Sequence, residues 1–358
     1  MDRRTFLKLS GTGVVVLGSG IGFSSCGLAA PDGNGLRLLP GFTSRKIATS
    51  GQAVPGTSYI WHGNPDGGAV FPVAGGGWVY VSNSESVPGG ASMIRFDAGG
   101  AIVEAKSILG GTIVNCAGGA TPWGTWLSCE EWDSGRVHEC DPMGIDAAVV
   151  RPAMGEFKHE AAAVDPIGQA VYLTEDQPDG GLYRFRPTVW EDLSAGVLEV
   201  MTDVGGVLGW AEITEPTGNT TPTRDQVAQM KVFNGGEGTV YVNGSICFTT
   251  KGDNKVWRYT PVTNTLVTVY DKATSSNPLL SGVDNIAALP NGDLFVAEDP
   301  GDLEIVRIRP NGVVSPLLRL TGVSGTEIAG PAFTPDNTRL YFSSQRNPGT
   351  TFEVTGPF

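Results

Sequence analysis

The chain has 358 residues, 51 of them glycine and 24 proline, only 17% of them charged, and a formal net charge of −13 at pH 7. That composition describes many short strands joined by tight turns around one large core rather than long helices. The acidic balance excludes nucleic acid and anionic membrane surfaces as partners, because both would repel it, whereas carboxylate clusters suit divalent cations.

The chain starts with Asp2-Arg3-Arg4-Thr5-Phe6-Leu7-Lys8, two arginines ahead of a weakly apolar, glycine-rich run from Val14 to Phe23. That run is too short and too polar to span a bilayer. A twin-arginine signal is expected over residues 1–30, with the twin-arginine export machinery as a partner and the periplasm or the outside of the cell as the place of work. Cys26, after Phe23-Ser24-Ser25, is a candidate lipid-anchor site of a membrane-bound lipoprotein; ordinary cleavage near Ala29 is the alternative. Cys116, Cys129, Cys140 and Cys247 match no zinc spacing and no small disulfide scaffold, and Cys247 reads as a small buried hydrophobe.

Residues 31–358 are expected to form a single domain, because a strand that follows a turn and ends in polar residues recurs along them. The copies are GGGWVYVSNSE ending at Glu85, TPWGTWLSCEE at Glu131, IGQAVYLTED at Asp176, VNGSICFTTK at Lys251, NGDLFVAED at Asp299 and DNTRLYFSSQ at Gln345. The intervals are 46, 45, 75, 48 and 46 residues, close to the length of a four-stranded propeller blade. The long interval implies an insertion of roughly 30 residues, placed around 190–224. The fold class is therefore all-β, a six-bladed β-propeller, which also protects the edges of so many short strands.

A second series runs one strand earlier, with a polar residue at the start of a small apolar strand. Its members are Asn115-Cys116, Glu160, Glu237, Asp284-Asn285 and Glu327, with a less clear copy between His62 and Asp66. If each unit opens with an antiparallel hairpin, the start of its first strand and the end of its second lie at the same sheet edge. Both series then face one mouth of the channel. That collects Glu85, Glu130, Glu131, Glu160, Glu175, Asp176, Glu237, Asp284, Glu298, Asp299 and Glu327 there, with Cys129 among them and Lys251 as the regular cation.

Any single glutamate in such a set is more often solvated than functional; repetition at matched positions is the stronger argument. Calcium takes six to eight oxygens, and iron accepts carboxylates with a thiolate. With only three histidines and no GxSxG elbow, a His-based triad, a zinc site and a serine hydrolase are disfavoured.

The stretches NCAGGATPWGTWLSCEE, FKHEAAAVDP, VYLTEDQPDGGLYRFRP, FTTKGDNKVWRY, VDNIAALPNGDLFVAED and EIAGPAFTPDNTRLYFSSQ resemble the PhoX-type bacterial alkaline phosphatases and their shorter relatives, from about Gly75 to Phe358. The resemblance implies a propeller whose mouth holds Ca2+ and Fe3+ and hydrolyses a small-molecule phosphate ester, the cations polarising the phosphoryl group. It implies Cys129 as thiolate ligand and Glu160, Glu237 and Glu327 as further metal ligands. Glu130, Glu131, Glu175, Asp176, Asp284 and Glu298 become calcium-binding or supporting candidates, and Lys251 and Glu237 the catalytic pair.

Two departures bear on activity. Gly235 stands two residues before Glu237, where the resemblance leads one to expect an arginine, and Ser84 stands where a histidine is common. An arginine there would clamp phosphoryl oxygens in the transition state; without it, Lys251 and the cations carry that load. The alternatives are a non-catalytic calcium-binding propeller and a calcium-dependent lactonase-like enzyme. A monomer is expected.

Overall fold

The computed structural model describes residues 27–358. Residues 1–26 of the expected twin-arginine signal, Cys26 included, lie outside the described residues, and among the described ones no helix is long and apolar enough to cross a membrane.

Six antiparallel sheets, the blades, stand in a ring. Blade 1 runs outward from Pro65–Val73 through Gly77–Ser84 and Gly89–Phe96 to Ile102–Thr112. Blade 2 holds Asn115–Ala120, Trp126–Glu130, Val137–Cys140 and Val149–Val150. Blade 3 holds His159–Asp165, Ala170–Glu175, Leu182–Val189 and Asp192–Val204, and adds a fifth strand, Val207–Glu212. Blade 4 is Gly236–Val242, Ser245–Thr250, Lys255–Thr260 and Thr265–Asp271. Blade 5 starts at Val283–Ala288 and continues through Leu294–Glu298 and Glu304–Ile308 to Val314–Leu320; blade 6 is Ile328–Phe333, Arg339–Ser344 and Thr350–Thr355. The chain start completes both last blades, with Leu36–Leu38 pairing on Val314–Leu320 and Thr43–Thr49 on Thr350–Thr355.

The strand pattern follows from this stacking. Second strands are sandwiched between neighbouring blades, so Trp126–Glu130, Ala170–Glu175, Ser245–Thr250 and Leu294–Glu298 are buried on both faces and read as unbroken runs. The outermost strand of blade 4, Thr265–Asp271, is exposed or half-buried at every residue but Tyr270. The core is correspondingly divided into six apolar clusters, one at each blade boundary. Tight turns are written locally: Asn243 and Gly244, at φ 49° and 77°, make the two-residue connection whose twist matches a hairpin.

The inner strands approach each other closely because their residues are small. A Cβ on Gly119 would lie 1.9 Å from the carbonyl oxygen of Ala162 in the next blade, and one on Gly238 2.6 Å from the Cα of Asn285. Neighbouring blades therefore pack backbone against backbone around the channel.

Candidate metal centre at the propeller mouth

Each inner hairpin carries the same local device. The first strand pairs with the end of the second, then bulges: Pro65 pairs with Ser84, Asn115 with Glu130, His159 with Glu175, Gly236 with Thr250 and Val283 with Glu298, each followed by a register shift. A bulge leaves a residue unpaired and re-aims its side chain. The bulged residues Asp66, Cys116, Glu160, Glu237 and Asp284 are thereby turned to the axis. In blade 6 the shift comes later, between Ala329 and Ala332, and Glu327 supplies the carboxylate from just before the strand.

These side chains meet in four overlapping groupings, each with ligand atoms within 4.8 Å of one another: Cys116, Glu131 and Glu160; Glu160, Glu237 and Asp284; Asp284, Asp299 and Glu327; Asp66, Glu85 and Glu327. Glu160, Asp284 and Glu327 are each shared by two groupings. The Cys116 thiol donates to Glu160 Oε1 at 3.3 Å, while Glu160 Oε2 is buried with no partner. Lys251 Nζ lies 3.0 Å from Glu237 Oε1, but that oxygen receives no well-directed hydrogen bond. Buried carboxylate oxygens without donors are costly unless a cation takes them up, so the residues present fit oxygen-seeking cations with one sulfur at the edge of the set.

Three cations hold the mouth together. Lys158 bridges Glu131 and Asp176 at 2.9 and 3.1 Å. Lys251 reaches Glu237, Asp284 and Asp299 at 3.0, 3.9 and 3.0 Å. Arg346 reaches Glu85 and Glu327 at 3.3 and 3.1 Å.

Carboxylates outnumber these cations, and the protonation states answer accordingly. Burial first, then the charge of Glu237, holds the Glu160 carboxyl well above its usual range; burial and Asp284 do the same for Glu237, and burial and Glu85 for Asp66. Burial pushes Asp284 up to about 6 and Glu131 up to about 7, against the pull of Lys251 and Lys158. Glu327 is raised and Asp299 lowered, as for two acids sharing one proton.

Side chains from neighbouring second strands fix these residues from behind. Thr174 Oγ1 donates to the carbonyl of Glu237, Thr249 Oγ1 to that of Asp284, and Asn83 Nδ2 to that of Cys116 at 3.1 Å. Asn285 Nδ2 donates to Asp284 Oδ1 at 3.0 Å.

Among the residues expected from sequence, Glu131, Glu160, Glu237, Asp284 and Glu327 come together here, with Asp176 and Lys251 beside them through the ion pairs. Four others do not. Cys129 is fully buried in the apolar cluster between blades 2 and 3, with Leu127, Val137 and Phe157, and its thiol is pushed up by burial and by Glu130. Alternation along Trp126–Glu130 turns it toward blade 3, and the thiol of the mouth is Cys116. Glu130 accepts the N–H groups of Ile113 and Arg136 at 2.8 and 3.1 Å. Glu175 takes the Gly181 N–H, the Tyr183 hydroxyl and Arg224. Glu298 takes the N–H groups of Ser281, Asp302 and Glu304. These three carboxylates tie the loop that follows each second strand, and the next residue, Glu131, Asp176 or Asp299, faces the axis. Cys116, Asp66, Glu85, Asp299, Lys158 and Arg346 are site residues that the first reading leaves out of its ligand and catalytic sets.

Replacing Cys116 with alanine should therefore lower bound metal, whereas Cys129→Ala should leave metal content unchanged and cost only stability, about 1–2 kcal/mol for a small buried side chain. Elemental analysis and thermal melting of the two variants separate these outcomes; metal loss on Cys129→Ala would reverse the assignment.

Fold and site together define a six-bladed propeller with an acidic mouth whose ligand groupings fit cations. Residues 88–144 and 132–256, together a little under half of the chain, match the model of the family described as alkaline phosphatase PhoX. The solved structure of Pseudomonas fluorescens PhoX in complex with vanadate, a transition state analogue, superposes with a TM-score of 0.76 at 15% identity, covering 92% of this chain and 97% of that one. A Bacteroides thetaiotaomicron protein of unknown function gives 0.59 at 9% identity, covering 87% and 76%. A gluconolactonase of Xanthomonas campestris gives 0.53 at 13% identity, covering 90% of each chain. At these identities the structural likenesses speak for the fold alone. No curated protein matches the sequence.

Proposed function

We propose that the protein is a metal-dependent phosphatase that hydrolyses a small-molecule phosphate ester at the propeller mouth. The observation that carries this reading is the set of overlapping ligand groupings around the unpartnered Glu160 oxygen, in a chain whose residues 88–256 match the PhoX family model. Oxygen donors from five blades suit Ca2+, and the Cys116, Glu131 and Glu160 grouping, with its sulfur, suits Fe3+. Such cations, when bound, act as Lewis acids on the phosphoryl oxygens.

The chain's own residues do the remaining work. Glu160, Glu237, Asp284 and Glu327 hold the positive charge at the axis. Lys251 stays protonated in alkaline solution, because Asp284, Glu237 and Asp299 raise its pKa against burial; it keeps a fixed charge beside the ester.

Gly235 bears on the rate. Its φ is +68°, and an added Cβ would meet the backbone nitrogen of Gly252 at 3.3 Å and Asp176 Oδ1 at 3.4 Å. Val114, at the equivalent position of blade 2, adopts φ 48°, so a side chain is tolerated in this conformation at a cost of about 1–2 kcal/mol. The metal-loaded protein should turn over a chromogenic phosphate ester slowly, in a manner abolished by chelation. Gly235→Arg should raise kcat by about tenfold or more with a smaller change in KM, since a donor that tightens in the transition state acts on rate. Absence of turnover by both forms on every phosphate ester tried would overturn the phosphatase reading.

A further inference from the structure

One backbone position recurs six times around the mouth: the residue whose carbonyl accepts the N–H of the axis-facing residue at the end of its own blade's second strand. Its occupants are Asn64, Val114, Lys158, Gly235, Gly282 and Glu327, which accept from Glu85, Glu131, Asp176, Lys251, Asp299 and Gln345 respectively. Lys158 is the single cation in this ring. It stands two residues before Glu160 as Gly235 stands two before Glu237, so the donor that blade 4 lacks is present one blade earlier.

The surroundings of Lys158 differ from those of the other two cations. Lys251 is ringed by three carboxylates, Glu237 and Asp299 at 3.0 Å and Asp284 at 3.9 Å, and Arg346, 44% exposed, sits farther toward solvent. Lys158 has two acceptors, Glu131 Oε1 and Asp176 Oδ2, and among the described residues no third is in reach of its ammonium. One N–H is therefore left over, on a side chain 28% exposed at the mouth. Glu131 belongs to the grouping with Cys116 and Glu160, so an anion bound at that grouping comes within reach of the spare N–H.

We propose that Lys158 is the residue that binds a phosphoryl oxygen of the substrate and tightens on it as negative charge shifts in the transition state. This rests on the phosphatase reading. A charged donor fixed by two carboxylates in a partly dry site needs no reorganisation at the moment of reaction, the condition under which such contacts act most on rate.

The experiment compares the metal-loaded full chain with Lys158→Met and Lys158→Arg, with Lys158→Gln in reserve should the methionine variant not fold. Metal content, equilibrium binding of inorganic phosphate by calorimetry, and turnover of a phosphomonoester are measured. The methionine variant should keep its metals, bind phosphate about tenfold more weakly and lose at least about 30-fold in kcat/KM, mostly in kcat, with arginine restoring most of the loss. Phosphate binding and turnover both within twofold of wild type would overturn the proposal, as would loss of metal that arginine does not restore. If wild type hydrolyses no phosphate ester, the functional reading fails separately, and Lys158 is then judged on phosphate alone: a tenfold loss sustains its role in anion binding, and equal affinity overturns it.

Discussion

Chelating the bound cations should lower the melting temperature by about 10 °C at pH 8 and by only a few degrees near pH 5, a reversal of the usual weakness of proteins in acid. Folding raises the carboxyls of Asp66, Glu160 and Glu237 well above their usual range, Asp284 to about 6 and Glu131 to about 7. A raised acid binds its proton more tightly in the folded state than in the unfolded one. Its favourable contribution is complete below the unfolded value, about 4, and is lost as pH rises through the folded value. The metal-free mouth is thus most stable when protonated, between about pH 4 and 5, and weakens toward pH 8, where cations must replace the protons. Cation binding should release protons, and more of them at pH 6 than at pH 8. Melting curves with and without chelator across this range test the claim; an equal loss at both ends would sink it.

The second large effect is expected at Glu160, which serves two ligand groupings and carries the unpartnered oxygen. Glu160→Gln should cut turnover by about a thousandfold, the equivalent of several kcal/mol of transition-state stabilisation. It should also remove part of the bound metal. In metal-free protein the same substitution should raise stability in alkaline solution by about 1–3 kcal/mol, because an isosteric amide cannot ionise where a buried acid has no counter-ion. Glu298→Gln is the control: it weakens a carboxyl that accepts three backbone N–H groups, so stability should fall while metal content holds. Elemental analysis, kinetics and apo-protein melting on both variants decide the matter. Retention of full metal and activity by Glu160→Gln would remove it from the centre.

The architecture was legible in sequence because spacing is legible. Blade ends at Glu85, Glu131, Asp176, Lys251, Asp299 and Gln345 recur at intervals of 45–48 residues but for one of 75, each a strand that follows a turn and ends in polar residues. The mouth was legible to the resolution of one residue. Whether Glu130 or Glu131, Glu175 or Asp176, Glu298 or Asp299 faces the axis depends on where the strand stops alternating and the loop begins, and adjacent carboxylates look alike in a sequence. The choice of Cys129 over Cys116 failed for a related reason. Cys129 stands next to two glutamates in the chain, but a strand sends neighbours to opposite faces. Cys116 was already visible as the member of the first-strand series aligned with Glu160, Glu237 and Asp284; the bulge that aims it at them was not. Lys158, Arg346 and Asp66 were hidden differently, since their roles appear only when the blades are laid side by side.

The closure by Leu36–Leu38 and Thr43–Thr49 sets a timetable for making the protein. These strands are synthesised ahead of all six inner hairpins, and their partners, Val314–Leu320 and Thr350–Thr355, only after blades 1 to 4. At 5–20 residues per second, about 300 residues of polypeptide separate Thr49 from Thr350, a wait of roughly 15–60 s. For that interval the nascent chain holds unpaired edges, and the ring of acids has no complete circumference to trap an ion. Any ion capture by the complete ring is thus deferred until Thr350–Thr355 has been made and paired, so a closed ring of acids reports that blade 6 has docked.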